Sequence, residues 1–516
     1  MSESANAPAP TRPSTEAQEA ARRQREAVEH ALNTPVAHST GAVQVAGQTL
    51  AYRVSAGFVP VRGNTPAEAH GEPEAAVFTT AYQLEGADPA QRGLCFAFNG
   101  GPGASSIFLH FGVMGPKRVR INDDGSMPPP PYGVEDNPLS WLAHFDLVFV
   151  DPPHTGYSIS ASDEARKKHF SVDGDVAALC EVVREWLSRH QRWASPLLLC
   201  GESYGTTRCA AIAEGLCDMG IALSGLILVS SAMDIQALEF APRNDLPYAL
   251  YLPAFAGAAH YHGTAKPGLA SSPEAARQLA LDFVHSDYLS ALHRGASLDE
   301  RARLRVAKRV GELTGLAPEL VAQHNLRISD TTFFVEALRP QARIVGRMDA
   351  RVTGPMGASL SRQMDFDPGL DPLWGPYAMA AMDQFGRQLG LAPDRRYQVF
   401  GMEVNKQWNW CRGESKGNSY TCTSVELARV IRRLPHLRVL VASGVYDLAT
   451  PVSATDWMLD QLDLQPAQRS QLRHCRYGAG HMMYSRQADL LQMHQDLGDW
   501  LAVLPGLAAR PVAAPI

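Results

Sequence analysis

Gly201-Glu-Ser-Tyr-Gly205 is the stretch on which the reading of this chain turns. Before it runs Ser195-Pro-Leu-Leu-Leu-Cys200, a short apolar segment of the kind that forms a buried strand. After it runs Thr206-Thr-Arg-Cys-Ala-Ala-Ile-Ala-Glu214, rich in helix formers. Strand, sharp turn and helix are the setting in which G-x-S-x-G becomes a nucleophile elbow, with the serine lifted above the sheet on a strained turn. Ser203 is therefore the candidate nucleophile.

Strand candidates lie on both sides of the elbow. Gly41–Tyr52 has two alternating runs around a glycine and predicts a hairpin, and Ala75–Tyr82 predicts a further strand. Leu94–Phe98 reads as a compact buried strand that enters Asn99-Gly-Gly-Pro-Gly103, and Asp146–Pro153 as a strand that ends in a proline break. Asp173–His190 predicts a helix, Leu223–Ser230 the next strand, and Arg438–Ser443 and Gln471–Tyr477 the last two. Strands alternating with helices predict an α/β fold, with a mostly parallel central sheet flanked by helices. From 234 to 400 strands become scarce and helical patterns long, so this stretch reads as an inserted, mainly helical cap. The expected organisation is a tail over 1–38, disordered or loosely helical; a first core part over 39–233; the cap; and a second core part over 401–510.

A serine needs a base to take its proton, and that base needs an orienting carboxylate. In elbow hydrolases these follow in the order serine, acid, histidine, each on a loop after a strand. Asp447, in Gly444-Val-Tyr-Asp-Leu-Ala-Thr-Pro451, and His481, in Gly478-Ala-Gly-His481, fit that order. The flexible glycines before His481 set it apart from His436 and His474, which lie at or within strands. An oxyanion hole requires two main-chain N–H groups, and Tyr204 and Gly101 are the candidates. The glycine run of 99–103 lacks the lysine of a phosphate loop and the spacing of a dinucleotide fingerprint. His260 and His262 have no further metal ligands at suitable spacing, so no metal and no cofactor is expected.

The 516 residues allow a large core, and 53 acidic against 47 basic side chains give a net charge of −6, which argues against nucleic acid or anionic membrane as partner. No apolar run reaches the ~18 residues of a membrane span. The first residues lack the ~7–15-residue apolar core of a secretory signal, so a cytoplasmic location is expected. Eight cysteines are sparse and read as free thiols, although an exported chain would allow one disulfide, Cys411–Cys422. The oligomeric state has no signature here.

Five blocks resemble those of the serine carboxypeptidases, in the same order: Phe98-Asn-Gly-Gly-Pro-Gly-Ala-Ser-Ser106, Asp151-Pro-Pro-His-Thr-Gly-Tyr-Ser158, Gly201–Gly205, the Asp447 loop and the His481 loop. The resemblance implies an α/β-hydrolase with a cap that releases C-terminal residues from peptides. It also implies that Asn99 and Glu202 bind the substrate's terminal carboxylate; an amide and a protonated carboxyl both have hydrogens to donate. Two positions depart. Ala104 stands where the family usually has a cysteine, and Val113 where it has a further glutamate of the carboxylate network. The clamp is thinner for it. Competing readings are an esterase or acyltransferase on the same serine, a proline-directed aminopeptidase (disfavoured because Asn99 replaces the histidine of its His-Gly-Gly-Pro-Gly loop), and a non-catalytic binding protein on a hydrolase scaffold.

Overall fold

The first described element of the computed structural model, which covers residues 15–63, 71–359, 362–391, 395–413 and 419–504, is a helix, α1 (Thr15–Asn33). Its segment reads as a tail because charged residues dominate it. It docks through Val28 and Ala31 on Ala76 and Ala161. Residues 1–14 of the expected tail, and 505–510 of the expected second core part, lie outside the described residues.

β1 (Ala37–Val45) and β2 (Gln48–Val61) form the expected hairpin, turning through Ala46 and Gly47 at φ of 49° and 80°. β3 (Ala75–Leu84), β4 (Leu94–Phe98), β5 (Asp146–Val150) and β6 (Ile159–Ser160) follow. Then come α2 (Val172–Arg189), β7 (Leu197–Glu202), α3 (Tyr204–Asp218) and β8 (Gly225–Val229). The insert holds α4 (Leu246–Tyr261), α5 (Pro273–Phe283), α6 (Glu300–Thr314) and α7 (Asp371–Leu389), among shorter helices and a two-stranded hairpin, Arg343–Val345 with Thr353–Pro355. The chain closes with α8 (Ser424–Arg433), β9 (Arg438–Gly444), β10 (Leu472–Tyr477) and α9 (Gln487–Leu501).

The sheet has ten strands in the order β1-β2-β3-β5-β4-β7-β8-β9-β10, with β6 paired to β3. The pairs from β1 to β5 are antiparallel and those from β5 to β10 parallel. β4, β5, β7 and β8 are buried at every residue, which is why they read as unbroken apolar runs. Alternate side chains feed two cores. Cys95, Ala97, Leu198, Cys200 and Ile227 face one layer with α7 and α9; Leu94, Phe96, Leu199 and Leu226 face the other with α2, α3 and α8.

The insert divides. α4, α5 and α6 build a third core around Phe255, Ala280, Val310 and Phe333, and Tyr446 and Leu448 of the second core part reach into it. α7 instead lays Leu373, Tyr377, Ala380 and Phe385 on the sheet layer. All eight cysteines are free thiols, so Cys411 and Cys422 are not joined. No helix among the described residues is long and apolar enough to cross a membrane.

Candidate active site

The elbow forms because β7 runs into α3 without room for an ordinary turn. Ser203 sits between them at φ 60° and ψ −128°, a region that costs a non-glycine residue about 1–3 kcal/mol. Its N–H is held by the Val229 carbonyl at 2.9 Å. The flanking glycines are required by contact: a Cβ on Gly201 would overlap the Gly205 carbonyl, and one on Gly205 would overlap the Phe98 carbonyl.

Asp447 and His481 meet beyond the ends of β9 and β10. His481 Nδ1 lies 2.7 Å from Asp447 Oδ2, and both side chains are buried. Asp447 also accepts from Ala449 N (2.7 Å), Thr450 N (2.9 Å) and Thr450 Oγ1 (2.7 Å), an environment suited to an ionised carboxylate. Such a partner assigns the proton to Nδ1 and leaves Nε2 as the acceptor. That Nε2 is buried and unpartnered. Burial alone pushes the imidazole pKa down, but the charge and hydrogen bond of Asp447, with Glu202 behind them, outweigh it and raise it above its ordinary value. No hydrogen bond joins Ser203 Oγ to Nε2 among the described residues, a looseness common before substrate arrives.

The glycine loop after β4 lies directly on the elbow. A Cβ on Gly100 would come 2.5 Å from Tyr204 N and 2.7 Å from the Glu202 carbonyl, so only glycine permits the approach. Gly101 is exposed, at φ 100°. Arg208, on the first turns of α3, fixes this loop from below. Its Nη1 donates to the Asn99 carbonyl at 2.5 Å and more weakly to that of Gly100 at 3.4 Å, and its Nε pairs with Asp175 at 2.6 Å. Both ions are 1% exposed. With two carbonyls drawn to the guanidinium, the loop's conformation is tied to the elbow helix.

Asn99 and Glu202 form one cluster. Asn99 Nδ2 donates to Glu202 Oε2 at 2.7 Å, while Asn99 Oδ1 accepts from Leu109 N at 3.0 Å. Tyr484 Oη lies 3.1 and 2.9 Å from the two Glu202 oxygens. Burial pushes the Glu202 carboxyl up to about 7, against the pull of His481, Tyr484 and Asn99. Val113 is buried in the turn His110–Met114. Beside it, a Cβ on Gly112 would strike the Tyr484 ring and the Tyr377 hydroxyl. The Tyr484 hydroxyl and the Asn99 amide are thus the hydrogen-bonding neighbours of Glu202.

The structure thus joins Asn99, Glu202 and Tyr484 in one hydrogen-bonded cluster next to Ser203, lays the glycine loop of 99–103 on the elbow, and pairs Asp447 with His481. The Asp151–Ser158 block supports them at one remove: Asp151 accepts from Ser106 N at 2.9 Å, and Gly156 must be bare because a Cβ would overlap that carboxylate. Burial raises the Asp151 carboxyl to about 7. His260 and His262 point at carbonyls, those of Ala270 and Ala350, and no cluster of three metal-ligating side chains occurs among the described residues. Sequence reading missed Arg208 and Tyr484. An arginine inside the apolar start of a helix, and a tyrosine three positions after His481, were the available signals.

A mostly parallel sheet with helices on both faces, and a strained serine, a glycine loop and an Asp–His pair beyond strand ends, define an α/β-hydrolase. Residues 49–233 match the model of the serine carboxypeptidase family, a span that holds the glycine loop and the elbow and ends before Asp447 and His481. Serine carboxypeptidase-like 5 of Arabidopsis thaliana is 30% identical over 120 residues, 23% of this chain and 26% of that protein. Serine carboxypeptidase-like 13 of the same plant is 28% identical over 167 residues, 31% of this chain and 37% of that one. The alignments thus span about a quarter to two-fifths of the curated relatives. Among solved structures, Kex1(delta)p of Saccharomyces cerevisiae, described as a prohormone-processing carboxypeptidase, shares the fold: TM-score 0.54 at 15% identity, over 87% of this chain and 91% of that one. Over residues 49–233 the chain is thus similar to the serine carboxypeptidase family.

Proposed function

We propose that this protein is a serine carboxypeptidase that removes residues from peptide C-termini through an acyl-enzyme on Ser203. The observation that carries this reading is the buried Glu202, pushed up to about 7 and bonded to Asn99, next to the serine elbow. A carboxyl that keeps its proton near neutrality donates a hydrogen bond to a substrate carboxylate, where an ionised one would repel it. His481 Nε2 takes the Ser203 proton as Oγ bonds to the scissile carbonyl carbon. The tetrahedral oxyanion accepts from the N–H groups of Gly101 and Tyr204. The C–N bond then breaks, His481 returns the proton to the leaving amino acid, and water repeats the sequence to free the acyl group and restore Ser203. Asp447 keeps the imidazole in its Nδ1–H form and stabilises the imidazolium.

Incubation with a peptide library, read by mass spectrometry, tests this. A ladder of products shortened from the C-terminus, absent in Ser203→Ala, is expected; internal cleavage or no cleavage would overturn it. Val113, at the position where the family usually has a further acid, favours an esterase or acyltransferase on the same serine as the second reading, in which case ester turnover exceeds peptide turnover throughout.

A further inference from the structure

One short segment of the insert, residues 347–352, touches both the Asp447 loop and the His481 loop. Leu448 N donates to the Arg347 carbonyl at 3.0 Å, and Ala350 N donates to the Tyr446 carbonyl at 2.9 Å, so the residues on either side of Asp447 are held. His481 N donates to the Met348 carbonyl at 2.6 Å, and Gly480 N donates to Asp349 Oδ2 at 3.1 Å, so the base and the residue before it are held too. The contact is close enough to dictate sequence. A Cβ on Gly480 would lie 2.5 Å from Asp349 Cα and 2.6 Å from its Cβ, and would overlap the Met348 carbonyl. Gly480 is glycine because this segment lies flat against it.

The segment is itself fixed at both ends of its turn. Asp367 accepts from Arg347 N at 3.0 Å and from Met348 N at 3.1 Å. Asp349 pairs with Arg351 at 2.6 Å, the two side chains 9% and 6% exposed, and Asp349 Oδ1 also accepts from Arg351 N at 3.0 Å. Val345 and Ala350 belong to the insert's apolar core, in which Tyr446 and Leu448 are also buried. A buried carboxylate whose Oδ2 accepts from a main-chain N–H next to His481 as well as from the Arg351 guanidinium has a task beyond pairing with arginine.

We infer that Asp349 is a positioning residue, whose carboxylate locks the Gly480–His481 peptide to the insert and so sets the base against Ser203. The inference rests on reading His481 as the base. Removing the acceptor frees the peptide, and a displacement on the order of 1 Å at a catalytic group costs about 100-fold in rate.

Asp349→Ala and Arg351→Ala, in the full-length protein, separate this role from a salt bridge that only supports the fold. For Asp349→Ala, kcat on a p-nitrophenyl ester should fall about 10- to 100-fold with KM within about twofold. Amide hydrogen exchange in peptides spanning residues 478–484 should quicken about tenfold or more. Arg351→Ala leaves the carboxylate on Gly480, so its kcat should stay within about threefold of wild type even if its Tm drops. Equal losses of kcat and Tm in the two variants, or wild-type kcat and exchange in folded Asp349→Ala, would overturn the proposal. Should Asp349→Ala not fold, Asp349→Asn takes its place. Its single acceptor oxygen cannot serve both Gly480 N and Arg351 N, so it should still lose several-fold more kcat than Arg351→Ala, and equality overturns the proposal. A wild-type protein inert to the ester and to a fluorophosphonate would end the hydrolase reading instead, while the exchange comparison still decides whether Asp349 holds the loop.

Discussion

Replacing Glu202 by Gln isolates recognition of a free C-terminal carboxylate from the rest of the chemistry. Glu202 is 2% exposed, and burial pushes its carboxyl up to about 7. Below that value it is neutral and can donate to a substrate carboxylate; above it, two negative charges would share one site. For a peptide acid, kcat/KM should fall about tenfold per pH unit on the alkaline side, while the matching peptide amide keeps its rate. On the acid side both substrates lose rate as His481 takes up a proton. Burial alone lowers that imidazole's pKa, but Asp447 raises it on balance, so the two limbs lie close together and belong to the coupled pair. Gln keeps a donor and does not titrate, so its peptide-acid profile should stay level where wild type declines.

The same substitution has a stability signature. The unfolded carboxyl releases its proton near 4.5, while the folded one holds it to about 7. Wild type therefore loses stability as pH rises through that window, at about 1.4 kcal/mol per pH unit, or ~3 kcal/mol in all. Glu202→Gln escapes this loss. With an unfolding entropy of about 2.1 cal/mol/K per residue, the gain for a chain this long is ~3 °C in Tm at pH 8 and nothing at pH 4. Paired pH–rate profiles on a peptide acid and its amide, with calorimetry at the two pH values, make the assay. Coincident acid and amide profiles in wild type, with no gain in Tm for Glu202→Gln at pH 8, would refute the reasoning.

Ser203→Ala and His481→Ala should each remove most turnover without unfolding the protein, and Asp447→Asn nearly as much, with losses of about 10³–10⁴-fold or more in kcat; full activity in folded Ser203→Ala would sink the assignment of the nucleophile. Arg208→Met strands a buried carboxylate and should cost about 3–5 kcal/mol. Adding Asp175→Leu should restore much of that stability in thermal melts but not kcat, because the Asn99 and Gly100 carbonyls stay unclamped; recovery of both would show that the loop does not need Arg208. With all eight cysteines free, melts with and without dithiothreitol should agree within about 1 °C, and a fall of several degrees in reductant would reveal a disulfide.

What could be read from the sequence was whatever local pattern and burial dictate together. β4, β5, β7 and β8 are sealed on both faces, so their composition alone marks them as inner strands. Ser203, Asp447 and His481 could be proposed as candidates because each sits where a strand ends, and Gly101 because its loop is rich in glycine. Arg208 and Tyr484 were not, since their partners lie 109 and 282 positions away in the chain. Among the described side chains of α1, Val28 and Ala31 are the buried apolar ones, too little to distinguish a docked helix from a polar tail. Gly480 reads as freedom for the base loop, yet its bareness answers the pressure of Met348 and Asp349 against it.

That pressure bears on how such enzymes diversify. A lid joined to its barrel or sheet only by two connecting strands of chain can be exchanged as a cassette, and new specificities follow from grafting. Here the insert returns to the catalytic loops through Arg347, Met348, Asp349 and Ala350. A transplanted lid would have to bring its own replacement for those contacts, or arrive with the base loop it evolved beside. Recombination libraries built on this scaffold should therefore keep active clones chiefly where the crossover preserves residues 347–352 and 478–481 from one parent.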